Sequence, residues 1–277
     1  MSRTVQTSTT TVNGGIRDAL NDGISITWRY LKRVPRIPEL AVFAIVQSIM
    51  IVLLFTIVFG GAIALPDGAS YAEYLMPGIF VMTITFAAGT TAIGMTDDLS
   101  KGIIDRFRSL PMARSAVLVG RSVSDVIYNG GILVVLMLAG LAVGWTVSAG
   151  IVEFVLGVAL LLAFAFVMSW LGVWLGLQLP SVEVANQVNL IIIFPLTFVS
   201  NVFVPIQTLP EWLQPFAAWN PVSTLTASLR QLWGNPSPFA TTGLPTEAPI
   251  VITLAWLVVL SAIFAPLAVR RYRSMSR

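Results

Sequence analysis

The sequence predicts an all-α polytopic membrane protein with six transmembrane helices, on three observations. Of its 277 residues 56% are hydrophobic and only 10% are charged, whereas soluble globular domains carry about 25% charged residues; the mean hydropathy is +0.84. Six stretches are long and apolar enough to cross about 30 Å of hydrocarbon, which takes about 20 residues of helix. Fifteen of the sixteen Lys and Arg residues lie in segments that an even number of crossings places on one side: six before the first span, five between the second and third, and four at the C-terminus. By the positive-inside rule that side is cytoplasmic. Arg230 is the exception.

The elements follow in order. Residues 1–15 are rich in Ser and Thr and lack the apolar core of a secretory signal, so they read as a disordered cytoplasmic tail. Residues 16–34 read as an amphipathic helix lying on the cytoplasmic leaflet. In it Ile16, Leu20, Ile24, Thr27, Leu31 and Val34 recur at three- and four-residue steps, and Trp28 and Tyr30 are candidate interface anchors. The predicted spans are residues 40–63, 74–96, 122–145, 153–179, 184–204 and 250–269, so residues 16–269 form one membrane domain. The tail at 270–277 is basic and cytoplasmic.

Between the second and third spans lies a charged island, residues 97–121, holding Lys101, Arg106, Arg108, Arg114 and Arg121 with Asp97, Asp98 and Asp105. Charges of this density do not lie in hydrocarbon, where each costs roughly 2.5–3.5 kcal/mol at mid-depth. Within it Leu99, Ile103 and Phe107 fall four residues apart with Ile104 adjoining, which predicts a short helix over residues 98–109 with one apolar face. Asp97 or Asp98 is its expected N-cap, and Pro111 ends it. Such a helix either lies on the bilayer or fits a cleft on another protein. Arg121 and Asp125, four apart, are spaced for a local ion pair at the start of the third span.

After the fifth span, residues 205–239 are too polar and proline-rich to cross, yet carry Trp212, Phe216, Trp219, Leu225, Leu229 and Trp233. Aromatic residues favour the headgroup region, so two short helices over residues 211–218 and 222–232 are expected to dip into the outer leaflet and return as a re-entrant extracellular hairpin, or else to pack as an outer cap. Within the spans no ionisable side chain is expected near mid-membrane, Asp125, Glu153 and Glu183 standing at span ends.

Composition narrows the chemistry. Without Cys or His, thiol and imidazole catalysis and the usual zinc and haem ligand sets are excluded, and no metal site is expected. The net charge of +3 is accounted for by basic residues flanking spans, so no nucleic-acid partner is expected. An integral membrane enzyme would need paired carboxylates, but Asp97 and Asp98 are adjacent and point apart on a helix. An ion-driven carrier usually places a charge inside the membrane, which argues against that alternative without removing it.

Four strings carry a resemblance: YLMPGI at residues 74–79, FRSLPMAR at 107–114, VLVGRSVSD at 117–125 and NPVSTLTASLR at 220–230. Together, in register with six spans, they resemble type-2 ABC transporter permeases of the daunorubicin and multidrug-resistance exporter group. The resemblance implies an inner (plasma) membrane subunit with both termini cytoplasmic. It implies a homodimer or a pair with a paralogous permease, each copy above an ATP-binding cassette ATPase subunit that binds ATP and Mg, with no cofactor on this chain. The absence of a GxxxxGK[ST] phosphate loop agrees with a separate ATPase.

The resemblance further implies that a coupling helix maps to residues 97–108, namely Asp97, Asp98, Leu99, Lys101, Ile103, Ile104, Asp105, Arg106, Phe107 and Arg108. A substrate path is implied between the second and fifth spans, the second offering Phe80, Thr83, Phe86, Gly89, Thr90 and Thr91 and the fifth Asn186, Asn189, Phe194, Thr197, Phe198 and Asn201. Polar side chains in such spans line a passage or bond neighbouring helices, and the aromatic character suits a hydrophobic or amphiphilic substrate, a drug, antibiotic or lipid. In the outer hairpin Trp212, Phe216, Trp219, Asn220, Pro221 and Arg230 are the candidate residues.

Overall fold

A computed structural model describes residues 16–32, 38–60, 70–104, 114–235 and 243–275. Among them the chain is helical, with no strand: α1 (Ile16–Leu31), α2 (Pro38–Gly60), α3 (Tyr71–Ser100), α4 (Arg114–Ala142), α5 (Ile151–Gly176), α6 (Val182–Phe198), a 3-10 turn (Ile206–Thr208), α7 (Gln214–Trp219), α8 (Pro221–Trp233), α9 (Leu244–Glu247) and α10 (Pro249–Ser274). Among the described residues four helices are long and apolar enough to cross a membrane: Tyr71–Ser100, Val117–Ala142, Ile151–Gly176 and Pro249–Ser274. Two further apolar helical stretches are shorter, Ile45–Val58 within α2 and Val182–Phe198, which is α6.

Several boundaries differ from the sequence reading for identifiable reasons. α3 continues through Asp97 and Asp98 to Ser100, where Gly102 at φ 65 permits the left-handed turn that ends it. The two aspartates therefore close a long helix and do not cap a new one. α4 starts at Arg114, so Asp125 lies eleven residues after its first residue and not at its entrance. α6 stops at Phe198, short of residue 204. Pro195 lacks the N–H that would bond Ile191, and Asn220 takes over the freed end carbonyls, its Nδ2 donating to Leu196 O at 2.7 Å and Val199 O at 2.6 Å.

α3 is the central helix, buried along most of its length. α5 crosses it closely because Gly172 and Gly176 carry no side chain: a β-carbon on Gly172 would lie 2.3 Å from Ala88 O, and one on Gly176 2.5 Å from Ala92 O. Small residues four apart are how membrane helices approach this nearly. Thr96 Oγ1 uses the proximity to donate to Gly176 O at 3.1 Å.

Two cores flank this crossing. One gathers Ile26, Met95, Ile104, Leu118, Trp170 and Tyr272 at the end that also carries Arg121, Lys101 and the arginines of α10, hereafter the basic end. The other fills the opposite end with Phe80, Trp145 and Trp233, whose rings meet edge to face at centroid distances of 5.1–5.8 Å. Such pairs contribute about 0.5–1.5 kcal/mol beyond area burial. The Trp145 indole donates to Asn235 Oδ1 at 3.0 Å, so its polar edge is satisfied.

Candidate functional site

A buried charge network joins four helices at the basic end. Arg121 of α4 donates from Nη1 to Asp98 Oδ2 of α3 at 3.3 Å and from Nε to Asp125 Oδ1 at 3.2 Å. Asp125 also accepts from Thr91 Oγ1 of α3 and Ser169 Oγ of α5, each at 2.8 Å. Tyr30 of α1 donates to Asp98 Oδ2 at 2.8 Å, and the Arg121 guanidinium lies 4.6 Å over the Tyr30 ring. Burial pushes the Tyr30 phenol up to about 12, Asp98 adding to the rise and Arg121 opposing it; the phenol thus stays a neutral donor at working pH. Gly94 makes room for the guanidinium, since a β-carbon there would lie 2.5 Å from Arg121 Nη2.

Arg121 and Asp125 form the ion pair expected from their spacing, and the network extends beyond it. Asp98 is 1% exposed and held by Tyr30 and Arg121, so it faces the bundle and is not a surface contact in this conformation. Ile104 is buried, and Leu99 and Ile103 pack against the basic-end core. Three of the four residues of the expected apolar face, Leu99, Ile103 and Ile104, are thus turned onto this chain's own helices. What the segment shows to solvent is polar: Ser100, Gly102 and Lys101, the last paired with Asp97 at 2.7 Å. Asp105, Arg106, Phe107 and Arg108 lie outside the described residues.

The face between α3 and α6 is mixed. Phe80 is fully buried against Trp145 and Trp233, and is therefore core, not wall. Thr197 is also buried, its hydroxyl donating to Ile193 O. Thr83 bonds Ile79 O and Thr90 bonds Ala87 O, leaving Thr90 exposed; Phe86 packs against the opposite-end core. On α6, Asn186 is exposed, and Phe194 and Phe198 stack at 4.1 Å with both rings partly open. Asn189 sits against Gly89, where a β-carbon would meet its Oδ1 at 1.8 Å, and that oxygen has no hydrogen-bond partner among the described residues.

At the opposite end Arg230 is 1% exposed. Its Nε and Nη2 donate to Tyr74 O at 2.9 and 2.8 Å, Nη2 also reaches Asn201 O at 3.0 Å, and the guanidinium stacks 3.7 Å over the Tyr74 ring. One side chain of α8 thus pins the start of α3 to the turn after α6. Asn220 works beside it: its Oδ1 caps α8 by accepting from Val222 N at 2.8 Å while its Nδ2 closes α6, and Pro221 opens α8 at a position that needs no N–H. Trp212, Phe216 and Trp219 are exposed. Arg230→Met removes charged donors from two buried carbonyls and is expected to cost on the order of 3 kcal/mol, read as a lower thermal midpoint by tryptophan fluorescence in micelles. Arg230→Lys should recover only part, since an ammonium lacks the planar fork.

Sequence reasoning singled out Thr91 as a path residue, whereas its hydroxyl bonds Asp125; it missed Ser169 and the Gly172 and Gly176 pair. The small-x-x-x-small spacing of the glycines within an apolar run was the available signal; nothing in the sequence pairs Ser169 with Asp125, 44 positions away.

A helical bundle whose long helices are apolar enough to cross a membrane defines a polytopic membrane protein, and comparison places it more closely. The chain matches the ABC-2 type transporter family over residues 23–233 and belongs to it. It is 30% identical over 279 residues, covering 96% of this chain and 95% of the other, to the daunorubicin resistance ABC transporter permease protein DrrB1 of Streptomyces coeruleorubidus. It is 25% identical over 244 residues, 88% of this chain and 85% of the other, to a probable doxorubicin resistance ABC transporter permease protein DrrC of Mycobacterium tuberculosis H37Rv. A putative transport permease, ycf38 of Porphyra purpurea, matches at 23% over 76% of this chain and 73% of its own. Like these relatives, the chain is a multi-pass membrane permease and not an enzyme.

Proposed function

We propose that this chain is the membrane-spanning subunit of an ATP-binding cassette exporter, moving a hydrophobic or amphiphilic substrate outward with ATP hydrolysed by a separate subunit. The observation that carries the reading is the anchoring of the loop after α3. Its first residues continue from Asp98, which the Arg121 network ties to α1, α4 and α5, so a push on that loop reaches four helices together. Of residues 97–108, Lys101 and the segment after Ile104 are then the contact for the ATPase.

In this reading α2 and α6 add two crossings to the four long ones. Six crossings put both termini and the loop in the cytoplasm with fifteen basic residues, and α7 and α8 form the re-entrant outer hairpin. Two permeases pair, each above an ATPase that holds ATP and Mg, and the substrate moves along the α3 and α6 face past Asn186, Asn189, Phe194 and Phe198. The drug-resistance names of the relatives support an amphiphilic drug or antibiotic as cargo; lipid fits the same apolar face. An ion-coupled carrier would need a titrating group in a span. Asp125 is the candidate there, but Arg121, Thr91 and Ser169 already hold it.

The test is reconstitution. The purified chain is expected to hydrolyse no ATP alone and to export an amphiphilic dye only with its ATPase, and Phe107→Asp in the loop should abolish export while ATP turnover continues. Dye export from cells lacking every ATPase partner would sink the proposal.

A further inference from the structure

α1 carries two distinct faces. Gly23, Ile26, Thr27 and Tyr30 meet the bundle: Ile26 is buried, Thr27 Oγ1 donates to Gly120 O at 3.0 Å, and Tyr30 reaches Asp98. Gly120 is needed for this approach, since a β-carbon there would lie 2.8 Å from Gly23 O. Ile24, Trp28 and Lys32 follow at four-residue steps on a different stripe. Ile24 and Trp28 are 65% and 59% exposed, and the exposed Lys32 ammonium lies 5.3 Å from the Trp28 ring centroid. The helical periodicity in the sequence placed Ile24 and Thr27 on one apolar face; the structure separates them, and it turns Tyr30 inward to Asp98, so that Tyr30 is not an interface anchor.

The stripe stands a short stretch of chain before an apolar helix, α2. Lys32 precedes Pro38, the first residue of α2, by six positions, a reach of at most roughly 20 Å. An apolar residue, an indole and a cation along one line, beside the start of an apolar helix, is the composition of a surface that lies in the headgroup region. The exposed Lys32 gives it positive charge, complementary to anionic lipid.

We propose that the stripe of Ile24, Trp28 and Lys32 docks on a lipid surface bearing anionic headgroups, and that seating it there fixes the loop-bearing end of α3 through Tyr30 and Asp98. The apolar pair enters the boundary between headgroup and acyl chain, while Lys32 meets phosphate. The affinity gained is roughly five-fold per basic residue at an anionic surface. The inner face then carries the consequence, because Tyr30 bonds a carboxylate three residues before Lys101. The proposal stands apart from the exporter reading, and its test needs neither ATP nor cargo.

The chain has no cysteine, so single cysteines carry spin labels without background. Ile24→Cys and Lys101→Cys, each in the full chain, are reconstituted in nanodiscs of phosphatidylcholine alone or mixed with phosphatidylglycerol. In the anionic discs the label at position 24 is expected to lose contact with a water-soluble nickel chelate by roughly five-fold and to gain contact with oxygen. The label at position 101 should lose mobility in the same discs. Lys32→Glu should erase both responses, whereas Tyr30→Phe, which removes a single hydroxyl, should keep the first and erase the second. Equal water exposure of position 24 in both lipids overturns the docking, as does shielding that arises only when a soluble ATPase subunit is added. An anionic response at position 101 that survives Tyr30→Phe overturns the link to α3.

Discussion

Arg121→Leu is expected to destabilise the chain by about 3–5 kcal/mol, because removing one partner of a buried ion pair strands the other charge. Here two carboxylates are affected: Asp98 loses a guanidinium contact at 3.3 Å and Asp125 one at 3.2 Å. The measurement is the midpoint of thermal unfolding in detergent, read from tryptophan fluorescence. Adding Asp98→Asn and Asp125→Asn to the same chain should recover much of the loss, since neutral amides need no counter-charge. Arg121→Lys should lie between, as one ammonium cannot fork to two carboxylates on different helices. A wild-type midpoint for Arg121→Leu would show that the network is not what holds these helices together.

Gly172→Leu is expected to have an effect at least as large, by a different route. Its β-carbon would stand 2.3 Å from Ala88 O and 2.8 Å from Thr91 Cβ, and the first of these is backbone that cannot rotate away. α5 must separate from α3, opening the crossing that holds the bundle's centre; overpacking of this kind costs about 1–3 kcal/mol for added methylenes and more when a backbone must move. Even Gly172→Ala should lower the midpoint. Gly131→Ala supplies the control, because a β-carbon there meets nothing within 4 Å and should leave the midpoint unchanged or slightly raised. If both alanine variants unfold alike, the close α3 and α5 approach is not load-sharing.

How much of this was legible in the sequence depends on the range of the signal. The apolar runs announced α3, α4, α5 and α10, because hydropathy over some 20 residues is a local property. The helix expected over residues 222–232 was equally local, and the structure starts it one residue earlier, at Pro221, capped by Asn220. What the sequence hid was direction. Phe80 shares its helical pattern with Thr83, yet one is core and the other half-buried, because the partners that decide it, Trp145 and Trp233, are far along the chain. Asp98 looked like a surface charge in a charged island, and only the tertiary arrival of Tyr30 and Arg121 turns it inward. Charge patterns reveal which segments stay out of hydrocarbon; they do not reveal which charges are neutralised by a neighbour.

The grip of Arg230 has a consequence for how such a protein can diverge. Its hydrogen bonds run to the main-chain carbonyls of Tyr74 and Asn201, and not to their side chains. Main-chain oxygens persist through any substitution, so the seam joining the start of α3 to the end of α6 does not depend on which residues occupy the exposed positions around Thr90, Asn186 and Phe194. Those positions can be exchanged while the closure of that end stays intact. The fold thus separates the residues that hold the bundle shut from those that mutation can retune.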